Sequence, residues 1–272
     1  MTKTKTWFIT GTSSGFGRIW AEAALERGDS VAATARSLST LRNLAGRFGD
    51  RVLTLELDVT DRTGVFAAVQ RTADHFGSLD VVVNNAGYGH FGMVEELTEG
   101  ELRSQMETNL FGAVWVTQAA LPIMRAQRRG HILQITSEGG VRAFPGIGAY
   151  HASKWALEGL SESLWQEVEP LGLRITNVEP GPYATSWLDR GSVASTPHPA
   201  YDAVREATAG SWDVGDPAAT AQAILDLVDS ADPPRRLLLG RSFDAIVEIY
   251  RERLATWEQW QPTALKAFST GG

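Results

Sequence analysis

Short apolar runs alternate with helical patterns along most of this chain, and no other feature constrains the fold as strongly. Seven runs have the character of buried strands: residues 6–10, 30–35, 51–56, 79–84, 131–136, 173–178 and 236–239. Strands that alternate with helices predict an α/β fold, here a doubly wound parallel sheet of about seven strands with helices on both faces. No repeat or linker divides the sequence, so we expect residues 1–272 to form one domain.

The composition excludes several classes of protein and site. The net charge of −7 argues against a nucleic-acid or anionic membrane surface. Without cysteine, neither disulfides nor thiolate metal sites form. The five histidines lack the spacing of metal ligands, so we predict no metal site and interpret them as surface or capping residues. With no signal-peptide pattern and no apolar run of roughly 20 residues, we expect a cytoplasmic protein.

A glycine-rich loop follows the first predicted strand and opens a helical pattern over residues 19–27. Glycines at such a junction let the backbone approach a pyrophosphate, while the helix N-terminus supplies amide donors. The spacing is G-x-x-x-G-x-G rather than G-x-G-x-x-G, and a plain glycine turn is the alternative. The predicted cofactor contacts in this loop are Gly11, Ser13, Ser14, Gly15, Phe16 and Gly17.

The second predicted strand ends at Arg36, where dinucleotide folds distinguish between cofactors. An acidic residue there suits a ribose 2′-hydroxyl, whereas an arginine suits a 2′-phosphate. Ser13 and Ser14 would add donors to the same phosphate. We therefore predict NADP(H) rather than NAD(H), with a solvated arginine at a helix start as the alternative.

Two further loops follow predicted strands. Asp58, beside Val59, is positioned to accept from an adenine amino group, or alternatively Asp58 or Thr60 caps the helix predicted over residues 62–76. After the fourth strand, asparagines are expected to support neighbouring strands, and the small residues leave room for a ribose. The predicted cofactor contacts here are Asn85, Ala86 and Gly87.

Ser137, Tyr150 and Lys154 form the predicted catalytic group. Tyr150 and Lys154 share one face at the start of a helix, and Ser137 ends the strand before it. A free tyrosine has a pKa of about 10, and a nearby ammonium is predicted to lower it. Tyr150 would then act as a general acid/base, with Ser137 donating a second hydrogen bond to the substrate oxygen.

Three other features suggest function. Asn109 lies within an apolar helical pattern over residues 97–127, either in a functional role or as a satisfied core amide. Residues 186–216 lack clear periodicity, and we predict that residues 183–216 form a substrate lid. Near the C-terminus, an apolar stripe faces either the core or a subunit contact or pocket cover: Phe243, Ile246, Val247, Tyr250, Leu254 and Trp257.

Taken together, these motifs resemble the short-chain dehydrogenase/reductase family, in its single-domain branch, over residues 5–228. The resemblance rests on Thr10-Gly11-x-x-x-Gly15-x-Gly17, Asn84-Asn85-Ala86-Gly87, Asn109, Ser137, Tyr150-x-x-x-Lys154 and Pro180-Gly181. It implies NAD(P)-dependent hydride transfer between an alcohol and a carbonyl. It also implies a homodimer or homotetramer, built partly on the helices that carry Asn109 and Tyr150.

The same resemblance implies roles for individual residues. Tyr150 would be the acid/base, and Lys154 would bind the cofactor ribose while lowering the tyrosine pKa. Ser137 would orient the substrate oxygen, and Asn109 would hold a water in a proton relay. Thr185 matches the residue that meets the nicotinamide carboxamide in relatives. The remaining expected cofactor contacts are Pro180, Gly181 and Tyr183.

Residues 150–164 are similar to the steroid- and retinol-dehydrogenase subgroup, which implies a hydrophobic ketone or secondary alcohol as substrate. Glu138 departs from the small residue often found beside the catalytic serine. Its carboxylate either favours a polar or basic substrate group or simply faces water. The predicted pocket walls are Phe91, Glu138, Val141, Phe144, Tyr183 and Trp187.

The sequence therefore predicts an NADPH-dependent carbonyl reductase, with alcohol dehydrogenation as its reverse. Two alternatives keep the same fold. One is a dinucleotide-sensing protein without catalysis. The other is an NAD(P)-using dehydratase or epimerase, which would convert substrate without net consumption of cofactor.

Overall fold

A computed structural model describes residues 4–185, 192–209 and 213–268 of the protein. Within these ranges the strands are β1 (Thr6–Ile9), β2 (Ser30–Ala35), β3 (Val52–Glu56), β4 (Val81–Asn84), β5 (Gly89–Phe91), β6 (Gly130–Ile135), β7 (Leu173–Pro180), β8 (Ser192–Ala194) and β9 (Arg236–Leu239). Seven of these described strands form one parallel sheet in the order β3-β2-β1-β4-β6-β7-β9. The prediction of a doubly wound parallel sheet is confirmed, whereas the small parallel pair β5-β8 was not predicted.

The helices of the described ranges mostly follow a strand along the chain and connect it to the next one. They are α1 (Gly15–Glu26), α2 (Arg42–Phe48), α3 (Arg62–Phe76), α4 (Glu99–Met106), α5 (Gly112–Gln127), α6 (Gly148–Val168), α7 (Asp202–Thr208), α8 (Thr220–Asp229) and α9 (Phe243–Ala267). A π-helical turn, Glu107–Phe111, joins α4 to α5. Short 3₁₀ turns occupy Leu38–Leu41, Gly49–Arg51, Val94–Glu96, Glu138–Gly140, Glu169–Leu171, Pro199–Tyr201 and Pro217–Ala219.

The core lies on both faces of the sheet, because successive side chains of a strand point to opposite faces. In β1, Trp7 packs with α1, α2 and α8, while Phe8 packs with α3, α5 and α6. Both side chains are fully buried. Strands that are buried on both faces appear in the sequence as continuous apolar runs, and these runs predicted the positions of the strands. Burying one such side chain contributes about 1.5–3 kcal/mol.

The winding of the sheet reverses between β1 and β4, which pair directly although β2 and β3 follow β1 in sequence. Ligands of open α/β sheets bind beyond the carboxyl ends of strands at such a reversal. The loops after β1 and β4 begin at Thr10 and Asn85. The fold therefore brings the glycine loop and the Asn85-Ala86-Gly87 segment to the same place.

The apolar stripe of α9 does not face the core, and the core-facing interpretation is wrong. None of the described residues of α9 is buried. Ile246 and Val247 are half-buried, but Trp257 is 67% exposed and every side chain from residue 254 to 268 is exposed. The helix follows β9, the edge strand of the sheet. A subunit contact or pocket cover stays a prediction.

The interpretation of all histidines as surface or capping residues is also wrong. His90, His131 and His151 are buried. Each buried ring lies within hydrogen-bond distance of a protein partner, which offsets the cost of burying a polar ring. His75 is exposed, and His198 is exposed and accepts from the amide of Ala200 as a cap.

Among the helices within residues 4–185, 192–209 and 213–268, none is both long enough and apolar enough to cross a bilayer.

Candidate active site

A cleft runs along the carboxyl ends of the strands as three connected spaces lined by described residues. A groove of about 700 Å³ begins at the glycine loop, a pocket of about 120 Å³ contains Tyr150, and a cavity of about 1220 Å³ lies beyond it. The groove and the pocket share the lining residues Phe16, Gly87 and Thr185. The pocket and the cavity share Glu138, Phe144, Ile147, Pro182 and Tyr183. Tyr150 therefore lies at the junction of groove and cavity.

The glycine loop forms the floor of the groove. Gly11 has φ +71° and Gly15 has φ +58°, in the left-handed region that favours glycine. A Cβ on Gly11 would lie 3.0 Å from the Cα of Ala86, so the loop also packs too closely for a side chain. Helix α1 begins at Gly15, and its first amides have no helical acceptor. Its N-terminus is therefore suited to an anionic group in the groove.

Asn85 and Gly17 fix the shape of this loop from behind. The side-chain amide of Asn85 donates to the carbonyl oxygens of Thr10 (2.9 Å) and Gly11 (3.1 Å). A Cβ on Gly17 would lie 2.5 Å from both Asn85 Nδ2 and the Gly11 oxygen. Gly17 is buried and supports the loop rather than lining the groove, unlike the other predicted glycines.

Arg36, Ser13 and Ser14 lie together at the outer end of the groove. All three are exposed and line it. Arg36 follows β2 directly, and the glycine loop lies beside the same sheet edge because β1 and β2 pair in parallel. A guanidinium and two hydroxyls thus line the groove, and their joint binding of a 2′-phosphate stays a prediction.

Asp58 and Val59 form the wall opposite the glycine loop. Asp58 Oδ1 accepts from the amide (2.9 Å) and the hydroxyl (2.8 Å) of Thr60. The N-cap of α3 is Asp61, which makes no side-chain capping bond, so the alternative that Asp58 or Thr60 caps this helix is wrong. Val59 is buried against α5, where a Cβ on Gly112 would lie 2.7 Å from it.

Ser137 and Tyr150 meet at the pocket. Strand β6 ends at Ile135, so Ser137 lies just beyond the sheet edge. Its hydroxyl donates to the Pro180 carbonyl (3.3 Å), accepts from the Gly139 amide (2.9 Å) and is hydrogen-bonded to the Tyr150 phenol. Tyr150 is in the first turn of α6. The predicted meeting of strand end and helix start is confirmed.

Lys154 is buried on the same face of α6, one turn after Tyr150. Its ammonium donates to the Ile135 carbonyl at 2.7 Å and lies 5.7 Å from the centre of the Tyr150 ring. Burial lowers the pKa of Lys154 to about 8, and the charge of Glu158 opposes that fall. The side chain also reaches Gly87, where an added Cβ would lie 3.6 Å from Nζ.

The predicted lowering of the Tyr150 pKa is wrong for the protein itself. Burial raises the pKa of Tyr150 to about 12, the hydrogen bond from Ser137 opposes the rise, and the charge of Glu138 adds to it. A phenolate enclosed by protein loses its hydration, so burial favours the neutral phenol. Tyr150 is therefore a neutral phenol at neutral pH, the form that donates a proton.

Asn109 is fully bonded within the π-helical turn. Its Oδ1 accepts from the Tyr88 amide (3.1 Å), and its Nδ2 donates to the Tyr88 carbonyl (3.0 Å) and to Ser153 Oγ (3.1 Å). Oδ1 also lies 3.1 Å from the position a Cβ would take on Gly87, beside Lys154. These contacts support the interpretation as a satisfied core amide; the role in a proton relay stays a prediction. π-helical turns occur often at functional sites.

Glu138 lines both the pocket and the cavity, and it does not face water. Its side chain is buried, and Oε2 accepts from the Arg142 guanidinium at 2.8 Å. The alternative that Glu138 simply faces solvent is therefore wrong. An ion pair therefore lies directly after Ser137 in the sequence.

The other predicted pocket walls divide into three groups. Phe91 and Phe144 line the cavity, and Tyr183 stacks edge-on against Phe16 at 5.3 Å between ring centres. Val141 is buried and does not line the described cavity. Trp187 lies outside the described residues, so its predicted contact stays a prediction.

One side of the pocket is formed by the end of β7 and the segment after it. Pro180, Gly181 and Thr185 line the pocket together with Tyr150. The Gly181 amide donates to the Leu239 carbonyl at 2.8 Å, which ties the end of β7 to β9. Thr185 reaches the glycine loop, with its Cβ 3.8 Å from the position a Cβ would take on Gly15.

Comparison with known proteins agrees with this geometry. The family model described as short chain dehydrogenase matches residues 5–192. The chain belongs to the short-chain dehydrogenase family. Among curated relatives, the oxidoreductase BOA17 of Botryotinia fuckeliana is 44% identical over 244 residues, which cover 87% of this chain and 89% of the relative.

Solved structures of other proteins are similar to this fold. A short-chain dehydrogenase from Streptomyces avermitilis has a TM-score of 0.91 and 38% identity, covering 98% of this chain and 99% of that one. An alcohol dehydrogenase from Thermococcus sibiricus, complexed with 5-hydroxy-NADP, has a TM-score of 0.74 and 30% identity, covering 87% and 96%.

Two groups of this short-chain dehydrogenase's site were missed from the sequence. His151 Nδ1 donates to the Gly139 carbonyl (2.7 Å), and its Nε2 accepts from the Phe144 amide (3.1 Å), so the ring braces the loop behind Ser137. Arg142 pairs with Glu138 four residues before it. The i, i+4 spacing of Glu138 and Arg142 was the available signal, but the glycines and proline around it favoured an irregular loop.

Proposed function

We propose that this short-chain dehydrogenase is an NADPH-dependent carbonyl reductase that also oxidises the corresponding alcohol. The observation that carries the proposal is the position of Tyr150, which lines one pocket with Ser137 and Lys154 between the groove and the cavity. A protonated phenol is required to deliver a proton to a carbonyl oxygen. A general acid in this position accelerates a reaction by roughly 10²–10⁴-fold.

The groove fits a nicotinamide dinucleotide. The left-handed glycines and the N-terminus of α1 suit a pyrophosphate, and Arg36 with Ser13 and Ser14 suits a 2′-phosphate. Lys154 and Asn85-Ala86-Gly87 would hold the ribose. When bound, the dinucleotide supplies or accepts the hydride. The 5-hydroxy-NADP complex of the Thermococcus relative supports NADP(H) over NAD(H).

The protein's own groups handle the proton. Tyr150 donates its proton to the substrate oxygen during reduction, and Ser137 donates a second hydrogen bond as negative charge develops there. The phenolate left on Tyr150 is stabilised by the Lys154 ammonium, 5.7 Å from the ring centre. In the reverse direction, Tyr150 accepts the alcohol proton.

The cavity suits a hydrophobic ketone or secondary alcohol. Its apolar walls include Phe91, Met93, Phe144, Ile147 and Tyr183. The same cavity is also lined by charged residues: Glu96, Glu138, Arg142, Arg205, Asp213, Asp216 and Arg241. The apolar walls suit the hydrocarbon part of such a substrate, and the charged groups are available to a polar substituent. We infer that residues 183–216 serve as the substrate lid, because the described parts of this segment contribute Tyr183, Ala194, Pro197 and Val214 to the cavity.

The test is a screen of NADPH consumption across aliphatic, aryl, steroid and quinone carbonyls, with the wild type and Tyr150→Phe in parallel. We expect consumption with at least one class, and loss of consumption in the variant while NADPH binding persists. NADPH binding without consumption across the panel would instead support the sensing protein. Substrate conversion without net NADPH consumption would support the dehydratase or epimerase.

A further inference from the structure

A buried acidic group continues the catalytic face of α6 beyond Lys154. Tyr150, Lys154 and Glu158 are spaced at i, i+4 and i+8, so they share one face of the helix. All three are buried. Aliphatic side chains usually occupy such a buried face. Burying a carboxylate there costs free energy unless the carboxylate is paired. The partners of Glu158 therefore need an explanation.

Glu158 belongs to a cluster with an excess of negative charge. Its Oε2 accepts from Asn177 Nδ2 at 2.5 Å and from the Arg236 guanidinium. The same guanidinium donates to Glu179 at 2.7 Å and to Glu162. In the described part of the chain, three carboxylates thus share one arginine. Burial raises the pKa of Glu179 to about 7 and also raises the pKa of Glu158.

Lys154 is a buried cation one helical turn before Glu158, on the same face of α6. The charged and titratable groups around these residues come from several elements: Tyr150 from α6 lies beside Lys154, Glu138 from the loop after β6 acts on Tyr150, and Glu179 from β7 and Arg236 from β9 surround Glu158. Glu138 is paired with its own arginine. Glu158 carries the charge that raises the pKa of Lys154 against the effect of burial.

We propose that Glu158 is a positioning residue for the reduction proposed above: its carboxylate keeps the Lys154 ammonium charged and in place behind Tyr150. The role rests on the proposed function. A neutral lysine would neither stabilise the Tyr150 phenolate nor donate as strongly to a ribose hydroxyl. Asn177 and Arg236 donate hydrogen bonds to this carboxylate and hold it in position. Arg236 also donates to Glu179.

Glu162 provides a matched control. It contacts the same guanidinium as Glu158 but stands one turn farther from Lys154, with its side chain 54% exposed. Glu158→Gln removes the charge while keeping an oxygen that can accept from Asn177. Glu162→Gln removes an equal charge from the solvent side. Glu158→Asp restores the charge and serves as the rescue.

The direct test is an NMR titration of the full-length protein labelled at the lysine side chains. The chain contains four lysines, and comparison with Lys154→Met assigns the Lys154 signal. We expect Glu158→Gln to lower the pKa of Lys154 by about one unit, a tenfold change in its protonation equilibrium. Glu162→Gln and Glu158→Asp should stay close to wild type. An unchanged pKa in Glu158→Gln, or an equal fall in Glu162→Gln, would overturn the proposal.

The second readout is the pH profile of NADPH oxidation with the most active ketone of the screen. Activity requires charged Lys154, so it falls as the pH rises through the pKa of that lysine. Glu158→Gln should move this alkaline limb down by about one pH unit, whereas Glu162→Gln should not. An unmoved limb in Glu158→Gln would overturn the role. Absence of turnover in the wild type would overturn the proposed function, while the titration still decides the coupling of Glu158 to Lys154.

Discussion

At the glycine-loop end of the cleft, Arg36, Ser13 and Ser14 are exposed and line the groove. At the other end, Ser137, Tyr150, Lys154 and Glu138 are each at least nine-tenths buried and bonded to other protein groups. One sheet edge thus carries an open, solvated half and a closed, desolvated half. Both halves depend on the same reversal of strand order between β1 and β4.

This difference separates binding from chemistry. An exposed side chain in the groove gains a partner when a ligand binds, so its loss should weaken affinity and leave the fold intact. A buried polar side chain already has protein partners, and the low dielectric around it shifts pKa values and strengthens its interactions. We therefore expect substitutions in the closed half to lower the reaction rate and substitutions in the open half to weaken cofactor affinity.

The largest effect is expected from Tyr150→Phe. The variant removes the proton donor but keeps the ring, so kcat/KM for NADPH-dependent reduction should fall by about 10³-fold or more. The affinity for NADPH, measured by fluorescence titration, should change less than about threefold. Tyr250→Phe on α9, an exposed tyrosine outside the described pocket, is the control. An equal loss of NADPH affinity would contradict the assignment of binding to the open half and of chemistry to the closed half.

Ser137→Ala should give the second effect. The variant removes one hydrogen bond to the developing oxyanion, which lowers kcat by roughly 10²-fold. The KM for NADPH should stay near wild type. Ser163→Ala, on the exposed side of α6, is the control because its hydroxyl bonds only to Glu167 among the contacts described for it. A kcat close to wild type would show that Ser137 merely supports the loop.

Gly17→Ala tests the support behind the open half. The new Cβ would lie 2.5 Å from the Gly11 oxygen and from Asn85 Nδ2, so the loop must shift. We expect the free energy of unfolding, measured by denaturant titration, to fall by about 1–3 kcal/mol. NADPH affinity, measured by fluorescence titration, should also fall. Gly46→Ala in α2, with open space around it, should instead stabilise by about 0.4–1 kcal/mol. Equal stability of both variants would contradict the packing described.

The smallest effect is expected from Arg36→Ala. Loss of a charge-assisted bond to a 2′-phosphate should raise the KM for NADPH by roughly tenfold. The KM for NADH and the melting temperature should not change, because the side chain is exposed. Arg42→Ala, at the exposed start of α2, should alter neither cofactor. A parallel loss with NADH would show that Arg36 does not select between the two dinucleotides.

The open half and the sheet could be predicted from the sequence because their signals are local. An apolar run marks each strand, glycine spacing marks the loop, and the i, i+4 spacing puts Tyr150 and Lys154 on one face. Arg36 follows β2 directly, so its place at the sheet edge needed no knowledge of distant contacts.

The closed half could not be predicted as well because its properties depend on burial. Spacing brings Lys154 to Tyr150, but the rise of the tyrosine pKa comes from desolvation by many distant residues. The pairing of Glu138 with Arg142 and the role of Arg236 toward Glu158 depend on how loops and β9 pack. The exposure of Trp257 likewise depends on tertiary packing, because its apolar stripe alone fits a buried helix face as well.

The central claim is that Tyr150 protonates a carbonyl oxygen in a pocket shared with the dinucleotide groove. The most direct measurement uses NADPH deuterated at the transferring position, incubated with the protein and the most active ketone, with the product analysed by mass spectrometry. We predict that the alcohol product carries one deuterium on its carbinol carbon with the wild type, and none above background with Tyr150→Phe. Oxidation of NADPH without deuterium in the product, or equal deuterium transfer by Tyr150→Phe, would contradict it.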